Sequence, residues 1–139
     1  DAVMQALGSY EGNRMLFLGL GTGIGSALVV DKAVVPLELG SLPFRRKKLV
    51  DYLSRAGFAK LGPRAWQRAV AEAVALLKPA FAADYVVLGG GNAEKVKPVP
   101  EGARLGSNDN AIRGGFRLWE TDVAWLEHVS PPHVYKLLF

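Results

Sequence analysis

The stretch that decides the fold is residues 15–30, which read MLFLGLGTGIGSALVV. An apolar run leads into a glycine-rich turn at 19–25, and a second apolar, β-branched run leads out of it. A third run of the same kind, AVV at 33–35, follows after a two-residue turn. Short runs of this composition between turn residues are typical of strands. The sequence therefore predicts a meander of three consecutive strands, at 15–20, 26–31 and 33–36.

The glycine-rich turn has two interpretations. Glycine lacks a Cβ, so successive backbone N–H groups can approach an anion, and Thr22 adds a hydroxyl among them. The plainer interpretation is a hairpin whose glycines serve only the turn. The dinucleotide fingerprint and the Walker A loop are excluded, because the glycine spacing, the following helix and a Gly-Lys-Ser/Thr tripeptide are all missing. What remains is a phosphate loop inside a β-hairpin, as in actin-like ATPases and sugar kinases.

Composition limits the class of protein. Half of the 139 residues are hydrophobic and 22% are charged, which predicts one domain with a sizeable core. The net charge of +4 suits an anionic ligand such as a nucleotide, but aromatic and basic residues are not interleaved, so we expect no nucleic-acid partner. With no cysteine and two histidines, we expect no disulfide framework and no metal site. No signal peptide or bilayer-spanning run is evident, so we expect a cytoplasmic protein that does not bind membranes.

The rest of the chain predicts helices packed on a sheet. Apolar residues at helical spacing indicate a long helix that begins at Pro63 and carries a buried stripe, namely Trp66, Val70, Val74 and Leu77. The apolar run at 84–88 indicates a central strand buried on both faces. Further helices are predicted at 1–10, at 48–56 with Gly57 as its stop, and at 110–119, and a further strand at 103–105. This order predicts an α/β fold, a mixed sheet with flanking helices.

A second glycine cluster, Gly89-Gly90-Gly91, follows the predicted central strand. Open α/β sheets place ligands beyond the carboxyl ends of their strands, although a triple glycine alone is more simply a turn. Together, the two clusters predict the floor and wall of a nucleotide site. Its candidate residues for binding phosphate or nucleotide are Gly21, Thr22, Gly23, Gly25, Gly89, Gly90 and Gly91.

Three charged features leave alternatives open. Glu38, beyond the third predicted strand, could accept hydrogen bonds from a polyol or be a solvated loop residue. Asp1 is a carboxylate at a helix start, where simple capping is the plainer interpretation. The basic run at 45–48 is either solvated or a polyanion track that would suit a polyphosphate donor.

Residues 1–119 resemble the C-terminal part of sugar kinases of the repressor–ORF–kinase (ROK) family, and most closely the polyphosphate/ATP glucokinases. The stretch 18–28 is similar to the family's second phosphate motif, and 34–40 looks like its sugar-contacting segment. Residues 87–91 look like the strand and turn near the phosphoryl donor, and 110–115 resembles the closing helix. Asp1-Ala2 looks like the continuation of the Asn-Asp motif, whose Asp is the catalytic base.

The resemblance implies an actin-like ATPase (ribonuclease H-like) lobe that acts on a hexose. In this family a carboxylate takes the proton of a sugar hydroxyl while the glycine turns and Mg²⁺ hold ATP or polyphosphate in line. Asp1 would be the catalytic base, and Glu38 and Ser41 would bind the sugar, with Ser41 standing where the family usually has His. The N-terminal lobe is missing, so we expect a glucokinase-like part that is inactive without that lobe.

The resemblance also divides the chain. Residues 1–119 would form the lobe, and the apolar extension at 120–139 would dock on it or on a partner. The alternative function is a non-catalytic sugar- or nucleotide-binding or regulatory module of the same fold. A weaker alternative is a standalone domain that forms a homo-oligomer through the surface that the other lobe would cover.

Overall fold

The computed structural model describes residues 2–31, 33–106 and 135–136. The helices are α1 (Ala2–Ser9), α2 (Leu49–Leu53), α3 (Arg55–Leu61) and α4 (Pro63–Ala80). The strands are β1 (Met15–Leu20), β2 (Ile24–Val30), β3 (Ala33–Leu37), β4 (Pro43–Phe44), β5 (Lys47–Lys48), β6 (Tyr85–Gly89), β7 (Ala103–Leu105) and β8 (Tyr135–Lys136). Short 3₁₀ turns lie at Leu39–Ser41 and Ala93–Lys95.

Six strands of the described chain form one mixed sheet in the order β7-β6-β1-β2-β3-β8. β1, β2 and β3 pair antiparallel as consecutive strands, whereas β6 is parallel to β1 and β7 is parallel to β6. β4 and β5 form a separate small hairpin. The predicted mixed sheet, opening with a three-strand meander and flanked by helices, is confirmed.

Both faces of the central strands are covered. Alternate residues of β1 point to opposite faces. One set packs with α2, α3 and α4 around Trp66, and the other packs with Leu7 of α1. Because it is buried on both faces, β1 is apolar along most of its length.

Helix α4 anchors the helical layer on the first of these faces. It begins at Pro63, and its stripe of Trp66, Val70, Val74 and Leu77 is buried, as predicted. The indole N–H of Trp66 donates to the carbonyl oxygen of Leu53 at 3.1 Å. The same ring meets Phe58 edge-on, with the centroids 5.1 Å apart. A single buried side chain thus holds both α2 and α3 against α4.

The predicted helix at 48–56, stopped by Gly57, is wrong. The chain breaks at Ser54 instead, and Gly57 lies inside α3. The hydroxyl of Ser54 accepts a hydrogen bond from the Gly57 N–H at 3.2 Å and so caps the new helix. A Cβ at residue 57 would lie 2.2 Å from the carbonyl oxygen of Tyr52. Glycine is needed here for a close approach of the two helices and does not end one.

The C-terminal end of α1 is held by side chains from β6 and β7. The guanidinium of Arg104 donates to the carbonyl oxygen of Ser9 and lies 3.5 Å from the carboxylate of Glu11. The hydroxyl of Tyr85 accepts from the Glu11 N–H at 2.8 Å and donates to the carbonyl oxygen of Gly12 at 3.0 Å. This end of the helix is therefore fixed to the sheet.

The predicted helix at 110–119 lies outside the described residues, as does most of the segment 120–139. The described part of the segment 120–139 is β8, which pairs antiparallel with Ala33 and Val34 at the edge of the sheet. The division at residue 119 stays a prediction. Within the described ranges, none of the helices combines the length and the apolarity that a membrane crossing requires.

Candidate functional site

The first glycine turn is shorter than the sequence predicts. Gly19 and Gly25 pair with each other across β1 and β2, so the bend consists of residues 21–23 alone. The N–H of Gly21 donates to the carbonyl oxygen of Gly23 at 3.2 Å and closes the bend. Residues 22 and 23 are exposed, and their amides have no hydrogen-bond partner among the described residues. These two amides are therefore free to bind an anion.

The second glycine turn lies beside the first. β6 and β1 are parallel neighbours, so both strands end at the same edge of the sheet. Gly90 has a φ of +84°, and a Cβ there would lie 2.5 Å from the carbonyl oxygen of Leu20. The N–H of Asn92 donates to that same oxygen at 2.9 Å. Only glycine permits this approach, which joins the two turns into one surface.

A cavity of about 330 Å³ lies between the turns and α1. The structure brings four predicted site residues to its lining, namely Gly21, Gly23, Gly25 and Gly90. We call this cavity the glycine cleft; its other lining residues are Ala2, Gln5, Phe17, Gly19 and Ile24. Thr22, Gly89 and Gly91 are next to lining residues in the chain without lining the cleft themselves.

Two of the glycines also have packing reasons for lacking a side chain. A Cβ at Gly25 would lie 2.9 Å from the Cβ of Ala2, and a Cβ at Gly89 would lie 2.7 Å from the ring of Phe17. Gly25 therefore lets α1 approach β2, and Gly89 makes room for an aromatic ring from β1. In contrast, a Cβ at Gly23 would meet no atom within 4 Å.

The predicted sugar segment lies beside the cleft and does not line it. Glu38 and Ser41 are exposed at the ends of the short 3₁₀ turn. Between them, a Cβ at Gly40 would lie 3.2 Å from the Cβ of Ile24, which does line the cleft. The buried hydroxyl of Ser26 fixes this segment, because it accepts from the Leu39 N–H at 3.1 Å and donates to the Leu37 carbonyl oxygen at 2.9 Å.

The predicted base, Asp1, lies outside the described residues. On α1, the polar side chain that lines the cleft is Gln5. Its Oε1 atom lies 3.0 Å from the position of a Cβ at Gly89. The sequence reasoning missed Gln5. In the helix that the sequence predicts at 1–10, Gln5 lies four residues from Asp1, and this spacing is the signal that would have found it, since residues four apart share one face of a helix.

Asn92 is a second polar residue that the sequence reasoning missed. It follows the triple glycine directly, is 3% exposed, and its Nδ2 atom is buried without a hydrogen-bond partner. A buried donor left without a partner costs about 1–3 kcal/mol. Asn92 therefore keeps unused donor capacity beside the second glycine turn.

Charged groups are few around the cleft. No carboxylate lines it among the described residues, and within the same ranges no cluster of three His, Cys, Asp or Glu side chains could hold a metal ion. Mg²⁺ usually binds through one or two carboxylates together with substrate phosphates. The described lining fits an ion that arrives with its phosphates better than an ion held by the protein alone.

The fold of the chain is shared with solved structures of known proteins. A mixed sheet that opens with a β1–β3 meander, continues into parallel β6 and β7, and is flanked by helices matches the actin-like ATPase fold of ROK sugar kinases. No protein-family model matches the chain, and no curated protein matches it by sequence.

Particular solved structures share this fold. One is the inorganic polyphosphate/ATP-glucomannokinase of Arthrobacter sp. strain KM, with a TM-score of 0.70 and 23% identity over 82% of this chain. A ROK family protein of Streptococcus pneumoniae, in complex with sucrose, has a TM-score of 0.67 and 16% identity over 91% of this chain. A ROK family glucokinase of Streptomyces griseus, in complex with glucose and AMPPNP, has a TM-score of 0.58 and 12% identity over 84% of this chain.

The chain spans only part of each of these proteins. The match covers 52% of the Arthrobacter chain, 64% of the Streptococcus chain and 65% of the Streptomyces chain. The likeness therefore concerns one portion of a longer fold.

Proposed function

We propose that this chain is the C-terminal lobe of a glucokinase-like hexose kinase that transfers a phosphoryl group from ATP or polyphosphate to a sugar hydroxyl. The observation that supports it is the convergence of two glycine turns on one cleft. Gly23, whose amide is free, lines this cleft, and Thr22, whose amide is also free, precedes it in the chain. Phosphoryl transfer depends on positioning and on electrostatic stabilisation of phosphate oxygens, which backbone amides supply. The shared fold with a glucomannokinase and a glucokinase agrees with this chemistry.

Each group has a role in this proposal. The free amides of Thr22 and Gly23 and the glycines at 89–91 hold the phosphoryl donor, and Mg²⁺ bound to that donor would neutralise part of the phosphate charge. Glu38 and Ser41 hydrogen-bond the hexose, in a segment that Ser26 keeps beside the cleft. Asp1 takes the proton from the attacking hydroxyl.

The proposal includes a second lobe. A kinase cleft closes around its substrates to exclude water and to bring donor and acceptor into line. Thr22 and Gly23 are exposed in the described part of this chain. We therefore expect the chain alone to bind a phosphate donor weakly and to turn over little or no sugar.

Calorimetric titration of the chain with Mg-ATP tests the phosphate site. A Cβ at residue 23 meets nothing within 4 Å, so the Gly23→Val side chain fits without strain and fills open space at the bend. We expect the affinity to fall about tenfold, a loss of about 1.4 kcal/mol. Ala75→Val, at an exposed position of α4, is the control and should bind Mg-ATP normally. Unchanged affinity in Gly23→Val would contradict the phosphate role of the bend.

A coupled assay of glucose phosphorylation tests the need for the second lobe. Rapid phosphorylation of glucose by the chain alone would show that the second lobe is not needed. Tight sugar binding by a chain that binds neither Mg-ATP nor polyphosphate would instead favour the non-catalytic sugar-binding module.

A further inference from the structure

A basic groove lies between the start of α4 and the loop after the second glycine turn. Two adjoining cavities, of about 430 and 510 Å³, share Pro63, Arg64 and Arg68. The smaller cavity is completed by Gln67, Lys95 and Lys97. These volumes are in the range of small-ligand sites, and none of these residues lines the glycine cleft.

The positive charges of the basic groove are uncompensated. Its four cationic residues, Arg64, Arg68, Lys95 and Lys97, are exposed and form no ion pair with any described residue. No Asp or Glu of the described chain lines either cavity. Like charges four residues apart on a helix repel each other, and a cation in the first turn opposes the helix dipole. An anion in the groove would relieve both effects at Arg64.

The basic run at 45–48 differs from this groove. The guanidinium of Arg45 pairs with the carboxylate of Glu72 at 2.7 Å and lies 5.3 Å from the ring centroid of Tyr52. One charge of that run is already neutralised within the fold. The polyanion track that the sequence suggested at 45–48 therefore has a better-placed alternative at the start of α4.

The walls of the basic groove are held in place. The side-chain amide of Gln67 donates to the carbonyl oxygen of Pro98 at 2.6 Å, and its Oε1 accepts from the Lys97 N–H at 2.9 Å. The Nζ of Lys95 lies 4.4 Å from the ring centroid of Phe58. The loop is thus fixed against α4 before any ligand arrives, which lowers the ordering cost of binding.

We infer that the basic groove is a second anion site and binds an extended chain of inorganic polyphosphate. A linear phosphate polymer presents negative charge at each unit and can meet several of the four cations at once. Proteins that bind single-stranded nucleic acid add aromatic platforms for the bases. Here no aromatic side chain lines either cavity among the described residues, and the nearby ring of Phe58 is already in contact with Lys95. Use of the groove as a donor track to the glycine cleft rests on the proposed function.

The test is equilibrium binding of long-chain polyphosphate to the full chain over a range of salt concentrations. The double variant Arg64→Gln/Arg68→Gln removes two groove charges. We expect it to weaken binding about tenfold and to reduce the salt slope by about 0.7 for each lost contact. The matched control, Arg46→Gln/Lys47→Gln, removes two exposed charges from the β4–β5 hairpin and should bind within about twofold of the parent chain.

Two results would overturn the inference, and a third variant separates the groove from the glycine cleft. Equal weakening in the two double variants would overturn it, because bulk charge alone would then explain binding. A single-stranded oligonucleotide of matched charge is the competitor. If it bound more tightly than polyphosphate, and if the groove variant lost that binding, the inference would be overturned in favour of nucleic acid. Gly23→Val separates the two sites. We expect its Mg-ATP affinity to fall about tenfold, whereas the groove's share of polyphosphate binding, which Arg64→Gln/Arg68→Gln removes, should persist. A failure of the proposed phosphate bend would thus leave the groove result intact.

Discussion

The backbone N–H of Arg55, the first residue of α3, donates to the carbonyl oxygen of Gly21 at 2.7 Å. This hydrogen bond joins the helical layer to the glycine bend whose amides face solvent. The bend is therefore supported from two sides, by α3 and by the second glycine turn, through the Asn92 to Leu20 hydrogen bond of 2.9 Å. A bend held in this way keeps its free amides in one arrangement.

Removal of the Arg55 N–H should loosen the bend without breaking α3. Proline is tolerated at the first position of a helix, and the extended backbone of Ser54 suits a following proline. We expect Arg55→Pro to destabilise the chain by about 1–2 kcal/mol in urea unfolding and to weaken Mg-ATP binding. Arg55→Ala, which keeps the N–H, is the control for the lost charge. Equal effects in both variants would show that the guanidinium matters and the backbone bond does not.

Gly90 and Gly91 should respond very differently to alanine. At residue 90 the φ of +84° disfavours any side chain, and the Cβ would press on the backbone of Leu20. We expect Gly90→Ala to lower the free energy of unfolding by more than about 2 kcal/mol. A Cβ at Gly91 meets nothing within 4 Å, so Gly91→Ala should stay within about 0.5 kcal/mol of the parent chain. Thermal or urea unfolding measures both, and similar losses would contradict the packing of the two turns.

The hydroxyl of Ser26 should matter for the sugar segment. Ser26→Ala leaves the buried Leu39 N–H without its partner, at a cost of about 1–3 kcal/mol. If the segment binds a hexose, titration with glucose should show weaker binding as well. Ser41→Ala, at an exposed position nearby, should leave the stability almost unchanged. A fully stable Ser26→Ala variant would mean that this bond does not hold the segment.

The contact between Gly25 and Ala2 can be isolated by a double-mutant cycle. Gly25→Ala would bring two Cβ atoms to 2.9 Å and push α1 away from β2, at a cost of about 1–3 kcal/mol. Ala2→Gly removes the opposing atom and should restore part of the lost stability in the double variant. We expect a coupling of at least about 0.5 kcal/mol. If the two losses of unfolding free energy were strictly additive, the contact between residues 2 and 25 would not be the cause of the destabilisation.

The strands were predictable because their signal is local. Apolar, β-branched runs bounded by turn residues gave β1, β3 and β6 nearly to the residue, and Pro63 marked the start of α4. The prediction of one helix at 48–56 was wrong because glycine can either end a helix or permit a close approach between two backbones. Nothing near Gly57 in the sequence shows that its Cβ would strike the carbonyl of Tyr52.

The site was predictable only in part, for a related reason. Clustered glycines indicate backbone that approaches a ligand or another strand closely. The structure brings four of them to one cleft, namely Gly21, Gly23, Gly25 and Gly90. Gln5 and Asn92 carry no such signal, because their positions depend on how α1 and the 3₁₀ turn pack. Long-range contacts of this kind are set by the tertiary fold and are not written in any short stretch of sequence.

The way α1 is attached has a mechanical consequence. Arg104 and Tyr85 fasten the end of the helix near Ser9, whereas the opposite end, at Ala2, borders the cleft. Eight residues span roughly 12 Å, so a tilt of about 10° around the fastened end would carry Ala2 by about 2 Å. A rotation of α1 about its fastened end would therefore change the width of the entrance to the cleft.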